Sequence, residues 1–272
     1  MAPIASLPMY DLEPLREATD AWWAGIAVAL RRQGFAETPG ALAREGGFGD
    51  RFAQWANPDL LLSQTCGYPL THEFAKRLRL VATPLYRAEH CAGPRYCSVV
   101  VVRADDPAVT VGDLRGYHVA FNGADSQSGF NSLRALVAPL ARQGRFFGRV
   151  SESGRHAASL AMVRQGEADV CAIDCVSHAL WRRHMPELVA GTRVLTVTAR
   201  APSLPYVTHA GRSSTEVAAM RAALAEAAAD PALEEVRRAL LIDGFETLPR
   251  AAYDEIDAME DAAVGAGYPA LA

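Results

Sequence analysis

Two serines and a glycine in Ala124-Asp125-Ser126-Gln127-Ser128-Gly129 sit where a strand pattern gives way to a helix pattern. Free N–H groups at a helix start carry partial positive charge and stabilise an anion. Serine hydroxyls donate to phosphate-like oxygens without adding net charge, and Gly129 allows close backbone approach. One serine alone reads equally well as an N-cap. Ser153-Gly154-Arg155-His156 repeats the pattern at a second helix start, with Ser153 as its expected cap, and this favours an anion over capping alone.

His156 lies in the first turn of that second helix, where a protonated imidazole is opposed by the helix dipole unless an anion lies beside it. Asp174, following the strand expected over 170–173, has two readings: it pairs with a cationic group of a ligand, or it caps the helix expected over 176–184. In open α/β sheets ligands bind at the carboxyl ends of strands. Tyr10 and the loop Gln64-Thr65-Cys66-Gly67-Tyr68 occupy two further such ends. Cys66 with His72 is a thiol and base pair in composition, but no oxyanion donor or orienting partner accompanies it. Trp22 and Trp23 read as core and surface of the first helix rather than as an aromatic cage.

Elements that would position these groups alternate along the chain. Strands are expected over 4–10, 60–62, 78–83, 98–103, 117–121, 170–173, 194–198 and 206–210. Helices are expected over 15–33, 129–140, 154–164, 176–184, 214–229, 232–241 and 251–263. Ser98-Val99-Val100-Val101-Val102-Arg103 is the strongest strand signal because its centre is β-branched throughout. Ser213-Ser214-Thr215-Glu216 is a capping-box signature. The alternation implies α/β architecture with parallel βαβ units.

Composition bounds the rest. The 272 residues carry a formal net charge of −4, which argues against nonspecific nucleic-acid binding. No apolar run reaches the roughly 20 residues of a membrane helix. The first residues lack a secretory signal pattern, so the chain reads as cytoplasmic as written, or as periplasmic with its leader removed. An odd count of cysteines, Cys66, Cys91, Cys97, Cys171 and Cys175, precludes complete internal pairing. A local Cys91–Cys97 disulfide and five thiols are both open. There is no CxxC pair and no histidine at ligand spacing, so no metal is expected, and no cofactor is called for.

Two ordered stretches carry a family resemblance. One runs Val99-Val100-Val101-Val102-Arg103, then Val111-Gly112-Asp113-Leu114-Arg115-Gly116-Tyr117-His118-Val119-Ala120-Phe121-Asn122, then Ser126-Gln127-Ser128-Gly129-Phe130-Asn131. The other runs Ser153-Gly154-Arg155-His156-Ala157-Ala158-Ser159-Leu160, then Gly166-Glu167-Ala168-Asp169-Val170-Cys171-Ala172-Ile173-Asp174. Over residues 63–205 the chain resembles the phosphate/phosphite/phosphonate-binding proteins of ABC importers, which have the type 2 periplasmic-binding-protein fold.

The resemblance implies two lobes, each a mainly parallel sheet flanked by helices, joined by two hinge strands. Residues 1–97 and 198–272 would form lobe one, and 98–197 lobe two. It implies an oxyanion held by Ser126, Gln127, Ser128, Gly129 and His156. Asp174 matches the region that meets the ligand's other end. Tyr10, Gln64, Thr65 and Tyr68 match lobe-one contacts, and Ser203 lies in the segment returning to that lobe. The family's second strand would fall in 35–52, a glycine-rich stretch without a clear pattern. The implied function is a solute-binding protein for a small anion, partnered by an ABC permease and without catalysis of its own. Two alternatives use the same fold: an enzyme of lyase or dehydratase type in which His156 or Asp174 moves a proton, and a cytoplasmic ligand sensor.

Overall fold

Valines at four successive positions leave Ser98–Arg103 with no polar face, so the strand must be covered on both sides. A computed structural model describes residues 2–272, and in it Val100, Val101 and Val102 are fully buried. The strand lies in a five-stranded sheet ordered Arg149–Glu152, His118–Phe121, Val170–Asp174, Ser98–Arg103, Thr192–Val197. His118–Phe121 runs parallel to both of its neighbours. Ser98–Arg103 runs antiparallel to Val170–Asp174 and to Thr192–Val197. Ser98 is therefore paired with Asp174 and stands at the edge where the parallel strands have their carboxyl ends.

A second five-stranded sheet is ordered Ile4–Ser6, Leu60–Gln64, Tyr206–His209, Leu78–Tyr86, Ile242–Glu246. Its first two strands are parallel, while Tyr206–His209 and Ile242–Glu246 pair antiparallel with their neighbours. The helices Arg16–Arg32 and Ser214–Ala229 pack on each other beside it.

The chain divides into two compact units. One comprises residues 1–87, 92–94 and 202–252; the other comprises 88–91, 95–201 and 253–272. The α/β type 2 architecture expected from the sequence is present, with three corrections. Both sheets are mixed rather than mainly parallel, because strands such as Ser98–Arg103 and Tyr206–His209 enter against their neighbours. Residues 253–272 belong with the 95–201 unit, not with the first one. The reason is packing: Ala263, Tyr268 and Leu271 complete the apolar core around Val100, Leu133 and Phe146. The amides of Phe146 and Phe147 both donate to the Ala272 carbonyl, at 2.6 and 2.8 Å. Finally, the stretch 35–52 holds no strand. Its ordered parts are a 3-10 turn, Gly47–Asp50, and the start of the helix Arg51–Ala56, and the second strand of the chain is Leu60–Gln64.

Other boundaries moved less. The first strand stops at Ser6 instead of residue 10. Arg149–Glu152 and Ile242–Glu246 are strands where none was expected. Leu241, at φ 58°, turns the chain out of the preceding helix into the second of these. Among the described residues no helix is long and apolar enough to cross a membrane.

Candidate anion-binding site

Ser126 ends the turn after the strand His118–Phe121 and starts a helical segment. Its Oγ accepts the Gly129 amide at 3.0 Å, so Ser126 is an N-cap. The first turn, Gln127–Asn131, is π-helical and leads directly into the α-helix Ser132–Val137. Ser128 is buried within this turn, its hydroxyl 3.5 Å from Ser126 Oγ. Its backbone carbonyl accepts from the Ser98 hydroxyl at 2.8 Å. Ser98 is thus a positioning residue that the sequence reading missed, since only the antiparallel register brings it here.

The Ser128 hydroxyl is hydrogen-bonded to His156 Nε2 at 2.8 Å. His156 is the first residue of the helix His156–Gln165. The N-cap of that helix is Arg155, not Ser153, and no side chain caps it. Ser153 instead bonds inward to the Phe121 carbonyl and to Ser159, so it ties the loop to the sheet. His156 is half-buried, and its Nδ1 is shielded from solvent. Burial pushes the imidazole pKa down, to about 4, offset only in part by the Ala172 carbonyl. The ring is therefore neutral at pH 7.

Gly129 is required by this arrangement. A Cβ there would lie 1.8 Å from Asn122 Oδ1 and 3.1 Å from the His156 ring. Asn122 Oδ1 is itself buried without a hydrogen-bond partner. Asn122 was legible only as a turn residue, and its approach to Gly129 depends on the fold. The site thus combines a serine, a neutral imidazole and a bare glycine backbone at two helix starts.

Other predicted residues sit elsewhere. Gln127 is fully buried, with its amide bonded to Ser132, Met259 and Asn131. Its side chain braces the C-terminal helix and does not face the serines. Asp174 is 2% exposed, and its Oδ1 accepts the amides of Val176 and Ser177 at 2.8 and 2.9 Å. Of its two readings, the cap is the one seen.

The first unit holds the remaining group. Gln64 donates to the Tyr86 hydroxyl at 2.8 Å and to the Leu204 carbonyl at 3.0 Å. Tyr10 packs edge-on against Tyr86 at 5.4 Å. With Trp22 and Tyr206 these residues line a cavity of about 20 Å³, about the space one water needs. Thr65 and Ser203 are buried, and Tyr68 stacks on His72 at 3.8 Å. His72 Nδ1 is engaged by Thr71 and by the Tyr68 carbonyl.

The description "ABC transporter, phosphonate, periplasmic substrate-binding protein" belongs to the family whose sequence pattern matches residues 57–253. The chain belongs to this family. The match spans well beyond the serine-rich helix starts and takes in strands of both sheets, all but Ile4–Ser6. No curated protein matches in sequence. Among solved structures, the fold is similar to a binding protein component of an ABC phosphonate transporter from Pseudomonas aeruginosa, with TM-score 0.76, 13% identity and coverage of 98% of this chain and 88% of that one. It is similar to PhnD1 from Prochlorococcus marinus in complex with methylphosphonate, with TM-score 0.72, 12% identity and coverage of 96% and 97%. A protein of Xanthomonas citri bound to chloride ion gives TM-score 0.70 at 16% identity, covering 97% and 98%. At such identities the likeness is one of fold, that of the type 2 periplasmic binding proteins. As a member of the phosphonate substrate-binding family, the chain is a solute-binding protein of ABC import.

Proposed function

We propose that this solute-binding protein holds a small oxyanion, phosphonate or phosphate in type, at Ser126, Ser128, Gly129 and His156. We further propose that it acts in the periplasm and hands the ligand to an ABC permease. The observation that carries the ligand class is the 2.8 Å bond between Ser128 and His156. It joins the starts of two helical segments, and a helix start carries partial positive charge. The donors there are neutral, so a tetrahedral oxyanion would be gripped by hydrogen bonds and amide dipoles rather than by a fixed cation. The solved relative that carries methylphosphonate supports the same class.

The test is titration calorimetry with methylphosphonate, phosphate, a sulfonate and a carboxylate. Removing one buried donor costs about 1–3 kcal/mol, so Ser128→Ala and His156→Ala should each weaken the preferred ligand by about tenfold or more. Micromolar binding left intact by both substitutions rejects the site.

A further inference from the structure

Three cysteines meet at the start of the helix Cys175–His184. Cys91 Sγ lies 3.6 Å from Cys175 Sγ. The Cys97 thiol donates to the His90 carbonyl at 3.9 Å, and the Cys175 amide donates to the Cys97 carbonyl at 3.0 Å. Cys97 and Cys175 are 3% and 2% exposed, while Cys91 is half-buried and reaches solvent. Of the two readings the sequence left open, five thiols is the one seen, and the sulfur beside Cys91 is that of Cys175. Sequence spacing pointed across a turn, whereas the fold sets Cys91 against a residue 84 positions away.

We propose that Cys91 and Cys175 form an oxidisable dithiol, which an external disulfide converts into a bond tying residues 88–91 to the first turn of the helix Cys175–His184. Hydrogen bonds from the Cys91 and Cys97 thiols and from the Cys97 amide hold the Cys175 thiol far below its ordinary pKa, at about 3. Its position at a helix start acts in the same direction. Cys175 is thus the thiolate of the trio, and the proton it shares raises Cys91 in turn.

The steps follow from exposure and charge. Cys91, the more exposed residue of the pair, passes the shared proton to Cys175 and attacks the external disulfide, forming a mixed disulfide and releasing one thiolate, which then takes that proton from Cys175. The Cys175 thiolate then attacks the Cys91 sulfur, and the second external thiolate leaves. Two electrons pass from the protein pair to the external disulfide. One released thiolate takes up the proton that began on Cys91, and the other is protonated by water. Closing the bond needs the two sulfurs to approach by about 1.5 Å, to the ordinary disulfide length, on a segment that already touches the helix.

The experiment treats the full chain with oxidised glutathione, alkylates the remaining thiols, and maps disulfide-linked peptides by mass spectrometry. The expected product retains three of the five thiols, carries a Cys91–Cys175 linkage, and melts several degrees higher, because the bond closes a long loop. Dithiothreitol should reverse the shift, and Cys91→Ser or Cys175→Ser should abolish it. Five alkylatable thiols, a stable glutathione adduct with no internal bond, or a Cys97–Cys175 linkage would each overturn the proposal. The wild-type map decides the matter even if a variant fails to fold.

Discussion

An imidazole whose charged form is penalised by burial makes stability depend on pH in a defined window. His156 is protonated in the unfolded chain below its ordinary pKa of 6.5, but in the fold only near 4. Between those values the unfolded state binds more protons, so stability falls as pH drops from 6.5 towards 4. The loss amounts to about 3 kcal/mol by pH 4. Urea unfolding at several pH values would show it, and His156→Gln should flatten the curve across that window. A slope equal in wild type and variant would contradict the assignment. At the same scale, Gly129→Ala must displace Asn122 or His156, since no Cβ fits. It should cost about 1–3 kcal/mol and weaken phosphonate binding together with it. Unchanged affinity measured by calorimetry would mean that Asn122 moves freely.

At the scale of elements, Ser126 and Asp174 cap two of the helix starts, while the helix His156–Gln165 starts without a side-chain cap. Asp174 satisfies two amides of the helix Cys175–His184 from a buried position. Asp174→Ala leaves them unpaired and should lower stability by about 2 kcal/mol, while Asp174→Asn should retain most of it. Thermal unfolding of the two variants separates a cap from a ligand contact, because the capping loss appears without ligand. Much at this scale was legible. The β-branched run of Ser98–Arg103 and the capping box at Ser213 and Glu216 are local signals, and both elements formed within a residue or two of expectation. The Ser128 and His156 helix starts were legible for the same reason. What escaped was non-local. Ser98 reaches the site only through its register with Asp174. Ser153 bonds to the sheet instead of capping because the Phe121 carbonyl and Ser159 compete for its hydroxyl. Gln127, polar and adjacent to two serines, turns inward because a buried partner set waits for it.

At the scale of the whole molecule, residues 253–272 leave one unit's neighbourhood in sequence and finish the other unit's core. Their apolar content gave no sign of which sheet they would join, because Ile256, Met259 and Ala263 at helical spacing fit either one. Polar bonds fix the choice. Arg134, 2% exposed, donates to Asn131 and to the Pro269 carbonyl at 2.6 Å and pairs with Glu260 at 3.1 Å. Its guanidinium also lies over the Phe130 ring at 4.8 Å. A buried charge in such a set is costly to strand, and removing one partner typically destabilises by about 3–5 kcal/mol. Glu260 keeps 24% of its surface exposed, so it recovers some hydration when Arg134 is lost. Arg134→Met should therefore cost about 3 kcal/mol. Glu260→Met, which leaves the arginine buried beside fewer acceptors, should cost a comparable amount. The double substitution should cost clearly less than the sum, since it leaves neither charge stranded. Chemical denaturation of the four proteins measures this coupling. Strict additivity would show that the C-terminal segment is held by its apolar contacts alone, with the arginine only a passenger in the core.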